Sequence, residues 1–132
     1  MKRVAVTGMG AVTPIGNDVQ SFWDGLISGK NGIGKITKFD VSNFKYKLAA
    51  EVKNFDPVGI LGNTVARKTD LFVQYALFAA QQAMEDSGLE NRVENERLGV
   101  YFGSGIGGFN TFCSEHESLL DGGPRRVSPL FI

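Results

Sequence analysis

The stretch from Leu98 to Phe112 has the sequence Leu-Gly-Val-Tyr-Phe-Gly-Ser-Gly-Ile-Gly-Gly-Phe-Asn-Thr-Phe. Its first part alternates large apolar residues with glycine and tyrosine, which predicts a buried strand that ends near Phe102. A cluster of glycines follows, and glycine lets a ligand or another backbone approach closely. Ile106 is the one large apolar side chain among them, so we expect it to face a cavity. The alternative is a tight strand-to-helix connection with Ile106 in the core.

The composition is that of one ordinary globular domain spanning residues 1–132. Hydrophobic residues make up 42% and charged residues 21% of the chain, as is typical of soluble domains. The 14 basic and 14 acidic residues cancel, so charge does not support a general nucleic-acid or membrane-surface role. A single cysteine excludes an internal disulfide and indicates a cytoplasmic protein. No apolar run suits a signal peptide or a membrane span.

The N-terminal half predicts strands and helices in alternation. A first strand is expected over Arg3–Thr7, where Val4–Val6 form a short apolar run, and a half-exposed strand over Tyr46–Val52, where apolar residues alternate with other residues. Asp18 is a predicted helix N-cap, and Gly29 can end that helix in a left-handed conformation. The sequence therefore favours a mixed α/β fold.

The glycine-rich loop from Gly8 to Gly16 invites comparison with dinucleotide-binding turns. The fingerprint of those turns needs a glycine where Thr13 stands, and Pro14 interrupts the place where the phosphate-binding helix should begin. No strand ends in an acidic residue about 20 residues later, as that fold requires. A nucleotide-binding domain is therefore the weakest alternative.

The longest helix is expected to begin between Ala66 and Asp70 and to end at Ser87. Most of its circumference is apolar or small, which predicts a largely buried helix. Arg67 and Lys68 stand at its start, where positive charge opposes the helix dipole. The residues alone indicate nothing more than a solvated basic pair.

Cys113 and His116 form a candidate nucleophile and base, since they lie three residues apart on a predicted helical stripe. Both stand among apolar residues, and no orienting group or oxyanion donor is evident, so a structural role is favoured. No metal-ligand spacing occurs, and we predict no catalytic residue, metal or cofactor in this chain. From the residues alone, it is an α/β domain with one glycine-rich site.

Six blocks of sequence, taken in order, resemble the β-ketoacyl-[acyl-carrier-protein] synthases, and most strongly the elongating synthase II group. The resemblance covers the whole chain and is carried by Val4–Gly10, Thr13–Gly16, Phe22–Ile33, Arg67–Asp70, Gly103–Gly108 and Gly122–Pro129.

This resemblance implies the first half of a thiolase-like layered α/β fold. It also implies that the complete enzyme carries out a decarboxylative Claisen condensation of acyl and malonyl carrier proteins in fatty-acid elongation. The family's nucleophilic cysteine, two histidines and a lysine would lie beyond Ile132, and neither Cys113 nor His116 matches them. We therefore expect this chain alone to be inactive. Its apolar end agrees with a sequence that has been cut.

The resemblance assigns roles to four residues. Ile106 matches an isoleucine that lines the acyl pocket, and Phe131 matches an aromatic residue that reaches this pocket across a dimer interface. Arg67 and Lys68 match basic residues that dock the acidic acyl carrier protein. Further charges often precede that pair in the family, and residues 63–66 lack them here. The docking patch is therefore expected to be weaker, or to be shared with the missing half of the enzyme.

The expected partners are acyl- and malonyl-loaded carrier protein, and the expected assembly is a homodimer, without nucleic acid or membrane. The alternative function is that of a non-catalytic ketosynthase-like chain-length factor, or of a polyketide ketosynthase partner.

Overall fold

The structure is a computed structural model, and it describes residues 3–129 and 131. Five α-helices and one two-stranded sheet form within these residues, in the order α1 (Val19–Ile27), β1 (Ile33–Lys35), β2 (Leu48–Ala50), α2 (Pro57–Leu61), α3 (Asn63–Lys68), α4 (Leu71–Ser87) and α5 (Phe109–Gly122). One short 3₁₀ turn, Asn95–Arg97, lies between α4 and α5, and a second, Pro124–Arg126, directly follows α5. Helix α4 is the longest element, and the N-terminal segment, α2 and the start of α5 gather around it.

Helix α1 begins where the sequence predicts. The Asp18 carboxylate accepts a hydrogen bond from the Ser21 N–H at 2.7 Å, and the Ser21 hydroxyl accepts from the Asp18 N–H at 3.3 Å. This reciprocal capping box satisfies backbone donors that the first turn leaves free. Gly29 follows the helix with a φ of 66°, which confirms its predicted left-handed conformation.

The sheet is a short antiparallel hairpin. Ile33 pairs with Ala50 and Lys35 with Leu48, so the strand expected over Tyr46–Val52 is confirmed over three residues. Beyond the ladder, the backbone N–H and the hydroxyl of Thr37 both donate to the Glu51 carboxylate. These bonds extend the pairing of the two segments past the end of β1.

The region before α4 differs from its prediction. Residues 63–68 form a separate helix, α3, which ends at Thr69 before α4 begins. Arg67 and Lys68 therefore occupy the last turn of α3 and not the start of the longest helix. Positive charge is favourable at a helix C-terminus, so the expected conflict with the helix dipole was wrong.

The glycine-rich segment at the N-terminus packs directly on α4. A Cβ at Gly8 would collide with the carbonyl oxygen of Ala83, and one at Gly10 would collide with that of Ala79. Met9 stands between these two glycines, and its backbone N–H donates to the Asp86 carboxylate at 2.9 Å. These glycines serve the close approach of two backbones, which explains their presence without a nucleotide.

Two strands expected from the sequence, over Arg3–Thr7 and from Leu98 to near Phe102, do not form. Residues 3–7 and 98–102 have no regular secondary structure, and Val4 and Tyr101 are 94% and 98% exposed. A strand needs a neighbour with which to exchange backbone hydrogen bonds. Within the described part of the chain, neither segment lies in a ladder, so neither has a strand beside it.

The described residues enclose no fully buried apolar side chain. Helix α4, expected to be largely buried, is half-buried along most of its length, and Gln74 is its one buried residue. The accessible surface is 10988 Å² for 14.3 kDa, whereas a folded monomer of that mass exposes about 6,800 Å². The fold therefore presents a large apolar surface to solvent.

Candidate functional site

The start of α4 joins two segments that lie far apart in the sequence. Asp70 is the N-cap of α4, and its Oδ1 accepts a hydrogen bond from the Leu71 N–H at 2.6 Å. Its Oδ2 accepts from the N–H of Thr111 at 3.2 Å and from the Thr111 hydroxyl at 3.0 Å. One carboxylate thus caps α4 with one oxygen and holds the first turn of α5 with the other.

These hydrogen bonds keep the Asp70 carboxylate ionised. Partial burial raises the pKa of Asp70, but the hydrogen bonds from Thr111 and Leu71 together outweigh that effect and hold the pKa below its usual value of 3.8. Hydrogen bonds to a charged acceptor are stronger than those between neutral groups. The link between α4 and α5 is therefore charge-assisted at neutral pH.

The same end of α4 supports the glycine cluster of residues 103–108. A Cβ at Gly107 would lie 2.8 Å from Cζ of Phe72, so the loop backbone rests against this ring. Gly108 has a φ of 67° and forms the left-handed N-cap of α5, a conformation that glycine adopts without strain. Ile106 projects from this loop with 81% of its surface exposed.

An apolar cavity of about 510 Å³ lies between α4 and residues 100–104. Its walls are formed almost wholly by apolar side chains of α4 together with Val100 and Phe102. Ile106 does not line this cavity. Because the Ile106 side chain is exposed, the alternative that placed it in the core is wrong. That Ile106 faces a cavity stays a prediction.

Phe131 is half-buried and packs on α5. Its ring centroid lies 6.0 Å from that of Phe112, which in turn stacks on His116 with nearly parallel rings 6.3 Å apart. The Ser128 N–H donates to the Glu115 carboxylate at 2.6 Å and ties the segment before Phe131 to the same helix. Leu130 and Ile132 of the apolar chain end lie outside the described residues.

Arg67 and Lys68 are exposed at the end of α3. Together with Asn63 and Thr64 they line a shallow polar depression of about 470 Å³. In the part of the chain that the structure describes, neither basic side chain makes a hydrogen bond or ion pair within the molecule. Two unpaired positive charges on one short helix form a surface suited to an acidic partner.

The buried Gln74 attaches α3 to α4. It is 5% exposed, and its side-chain N–H₂ donates to the carbonyl oxygens of Ala66 at 2.9 Å and Thr69 at 2.8 Å. These are carbonyls of the last turn of α3 and of its C-cap, which a helix end leaves without internal partners. The position of Arg67 and Lys68 thus depends on a side chain of α4.

Cys113 and His116 do not form a nucleophile–base pair. Cys113 is half-buried in the middle of α5, and His116 stacks on Phe112. No hydrogen bond connects them among residues 3–129 and 131. The described residues also hold no group of acidic, histidine and cysteine side chains that could bind a metal ion. None of the helices in that part of the chain has the length and apolar character that a membrane span requires.

Sequence reasoning missed the linking role of Asp70 and Gln74. Asp70 was identified only as a limit for the start of the longest helix, and its second hydrogen-bond partner, Thr111, is 41 residues away. Gln74 left a weak signal, because it is a polar residue surrounded in sequence by Leu71–Val73 and Tyr75–Leu77. A buried polar residue in an apolar helix normally has hydrogen-bond partners.

Comparison with known proteins places this arrangement in a family. A 3-oxoacyl-[acyl-carrier-protein] synthase 2 of Coxiella burnetii is 49% identical over 132 residues, and the protein of that name from Staphylococcus aureus strain COL is 48% identical. Each alignment covers 99% of this chain but 32% of the relative. The chain thus spans about a third of the length of these curated relatives.

Two solved structures have the same fold. The ishigamide ketosynthase/chain length factor matches 96% of this chain and 32% of its own, with a TM-score of 0.73 at 28% identity. A type II polyketide acyl-carrier protein in complex with its ketosynthase bound to the hexaketide matches 99% of this chain and 35% of that one, with a TM-score of 0.76 at 28% identity. The model of the β-ketoacyl synthase N-terminal domain matches residues 1–132, and the chain therefore belongs to the β-ketoacyl synthase family, within its thiolase-like fold.

Proposed function

We propose that this chain is the N-terminal part of a condensing enzyme that elongates fatty acids on acyl carrier protein. The observation that carries the proposal is the 48–49% identity, over nearly the whole chain, to proteins named 3-oxoacyl-[acyl-carrier-protein] synthase 2. Residues 1–132 act as one structural unit in that enzyme. Its cytoplasmic location and its homodimeric assembly belong to the same proposal.

The reaction is a decarboxylative Claisen condensation. A cysteine thiolate takes the acyl group from its carrier protein, and malonyl carrier protein then loses carbon dioxide. The resulting carbanion attacks the acyl thioester, the thiolate leaves, and the chain grows by two carbons. Backbone amides stabilise the tetrahedral oxyanion, as in other acyl transfers. Cys113 is not this nucleophile, because it lies within α5 without a base, so the nucleophile and the histidines belong to the remainder of the enzyme.

Within this enzyme, Ile106 and Phe131 are proposed to line the acyl pocket. Ile106 is one of many exposed large apolar side chains of the described residues, with 81% of its surface exposed, so it is available for contact with an acyl chain. Phe131 and Phe112 offer aromatic surface on the neighbouring helix. Burial of an acyl chain against such side chains gains free energy in proportion to the apolar area removed from water.

Arg67 and Lys68 are proposed to dock the carrier protein. Both are exposed and carry no internal ion pair in the described part of the chain, and Gln74 fixes the helix end that presents them. One structural neighbour is a ketosynthase in complex with an acyl-carrier protein, so this fold supports such an encounter. Basic charge at the docking surface would chiefly speed association.

The second candidate is a non-catalytic chain-length factor, which the match to a ketosynthase/chain length factor favours. That match has 28% identity, compared with 48–49% for the fatty-acid synthases. The two functions differ in the remainder of the protein. A catalytic synthase requires a cysteine at a strand-to-helix junction beyond residue 132, and sequencing the downstream codons distinguishes them.

A chimera tests the proposed function. Residues 1–132 replace the 132 matching residues of the Coxiella burnetii relative, and condensation of acyl and malonyl carrier proteins is followed by mass spectrometry. We expect a β-ketoacyl product two carbons longer, at a rate within about tenfold of that of the parent. The 132-residue chain assayed alone is the matched control and is expected to yield none. A folded chimera that forms no product, beside an active parent, would refute the proposal.

A further inference from the structure

The first residues of α4 lie between the two surfaces to which function is proposed. On one side, Gln74 holds the end of α3, which presents Arg67 and Lys68. On the other side, Asp70 holds the first turn of α5, which directly follows the loop that carries Ile106. The docking helix and the pocket loop are thus fastened to the same turn of α4.

We propose that Asp70 is a positioning residue that sets the placement of the Ile106 loop relative to the docking helix, and so determines acyl-chain selectivity without touching the acyl chain. The proposal rests on the proposed function of Ile106 and of the basic pair. It adds a residue that the sequence indicated only as a helix start.

The carboxylate is suited to this role because its two oxygens have separate tasks. Among residues 3–129 and 131, Oδ1 accepts only from the Leu71 N–H of α4, and Oδ2 accepts from both the N–H and the hydroxyl of Thr111. An asparagine in this place has a single oxygen acceptor, whereas its N–H₂ group can only donate. Because the two carboxylate oxygens lie at different positions, the one oxygen of asparagine can replace Oδ1 or Oδ2, so the variant loses either the acceptor for the Leu71 N–H or the acceptor for the Thr111 N–H.

A second contact makes the placement of the loop sensitive to this link. Phe72 supports the backbone at Gly107, where even an added Cβ would lie 2.8 Å from the ring. The loop is thus held at its end by the Asp70–Thr111 hydrogen bonds and beneath its centre by an aromatic ring. Release of the first contact leaves a loop that can pivot on the second, with Ile106 at its tip.

The test uses the chimera described above with Asp70→Asn. The readout is the ratio of kcat/KM for tetradecanoyl carrier protein to that for hexanoyl carrier protein. Loss of a charge-assisted hydrogen bond is expected to change this ratio by about fivefold. A residue with a merely structural role lowers both values together and leaves the ratio unchanged, and that result would overturn the proposal.

Asp18→Asn is the matched control, because Asp18 is also a helix N-cap, but among the described residues its carboxylate accepts hydrogen bonds only from its own helix. We expect the control to keep the ratio within about twofold of the unsubstituted chimera. An equal shift in both variants would show that selectivity follows general destabilisation, and would count against Asp70. Thr111→Val removes the hydroxyl donor and should shift the ratio in the same direction as Asp70→Asn. Thr111→Ser keeps this donor and should leave the ratio close to that of the unsubstituted chimera.

Hydrogen exchange gives a readout that does not depend on catalysis. In the Asp70→Asn chimera, the amides of Thr111 and Phe112, which donate to Asp70 and to the Gly108 carbonyl, should exchange about fivefold faster, while those of α1 keep their rates. Unchanged exchange at Thr111 and Phe112 would overturn the proposed link even if the chimera were inactive. An inactive unsubstituted chimera with accelerated exchange in the variant would instead refute the proposed function alone.

Discussion

At the scale of the residue, Gly10 shows how closely the N-terminal segment approaches α4. Its backbone touches the carbonyl of Ala79, so any side chain must push the segment and the helix apart. We expect Gly10→Ala to destabilise the chimera by about 1–3 kcal/mol, the usual cost of overpacking. The measurement is the urea midpoint of unfolding.

Gly34→Ala is the control for this prediction. Gly34 lies in β1 with no atom within 4 Å of the position of its Cβ, so the same substitution adds a methyl group in open space. Alanine there should leave the free energy of unfolding within about 0.5 kcal/mol of the unsubstituted chimera. Equal midpoints for the two variants would mean that the N-terminal segment does not pack on α4 as described.

Ile106 offers a different kind of prediction, because its side chain contacts so little. In the chimera, Ile106→Phe should shorten the longest acyl chain that is accepted, since the larger ring would occupy space needed by the acyl chain. We expect kcat/KM for tetradecanoyl carrier protein to fall at least about tenfold more than that for hexanoyl carrier protein. Ile27→Phe, at the exposed end of α1, is the control and should alter neither. Parallel profiles for Ile106→Phe and the unsubstituted chimera would contradict the pocket role.

At the scale of the element, the helix ends were predictable because their signals are local. Asp18 and Gly29 do what their sequence context indicates, since capping involves residues only two to four apart. The strands expected over Arg3–Thr7 and Leu98–Phe102 do not form, because a strand needs a distant neighbour for pairing, and a local pattern does not show whether that neighbour is present. The alternating pattern shows that a segment is suited to a sheet, but it does not show which strand lies beside it.

The sequence pattern also did not predict that α3 and α4 are separate helices. The sequence predicts a helix start anywhere between Ala66 and Asp70, whereas in the structure the Thr69 hydroxyl donates to the Val65 carbonyl at 2.6 Å and Asp70 starts a new helix. This break changes the electrostatic role of Arg67 and Lys68 from unfavourable to favourable. It also explains how a basic pair can stand beside the long helix without opposing its dipole.

Helix α3 carries the prediction on docking. Reversing both charges, by Arg67→Glu with Lys68→Glu, should raise the KM of the chimera for acyl carrier protein about tenfold or more and change kcat little. The KM difference should shrink at high ionic strength, because salt screens exposed charges. Arg92→Glu with Arg97→Glu imposes the same change of net charge elsewhere on the surface and should leave KM within about twofold. An unchanged KM for the α3 variant would refute the docking role.

At the scale of the whole molecule, the exposed surface exceeds that of a compact 14.3 kDa monomer by roughly 4,000 Å². An excess of this size on one chain is larger than the area that each partner typically buries in an obligate interface, about 1,000–2,500 Å². Much of it is apolar, and it includes both unpaired extended segments and one face of α4. The fold is therefore organised around a helix that these residues cover only on part of its circumference.

The isolated 132-residue chain should behave accordingly. Exposed apolar surface binds the dye ANS, and a fold without a buried apolar core unfolds with low cooperativity. We expect strong ANS fluorescence and a broad urea transition for the chain alone, and weak fluorescence with a steep transition for the chimera, in which the remainder of the relative can cover α4. The helical circular dichroism of the chain should persist, since the caps of α1 and α4 are local. If the isolated chain unfolded steeply and bound no ANS, these residues would form a self-sufficient core, and the chimera would gain nothing from the covering surface.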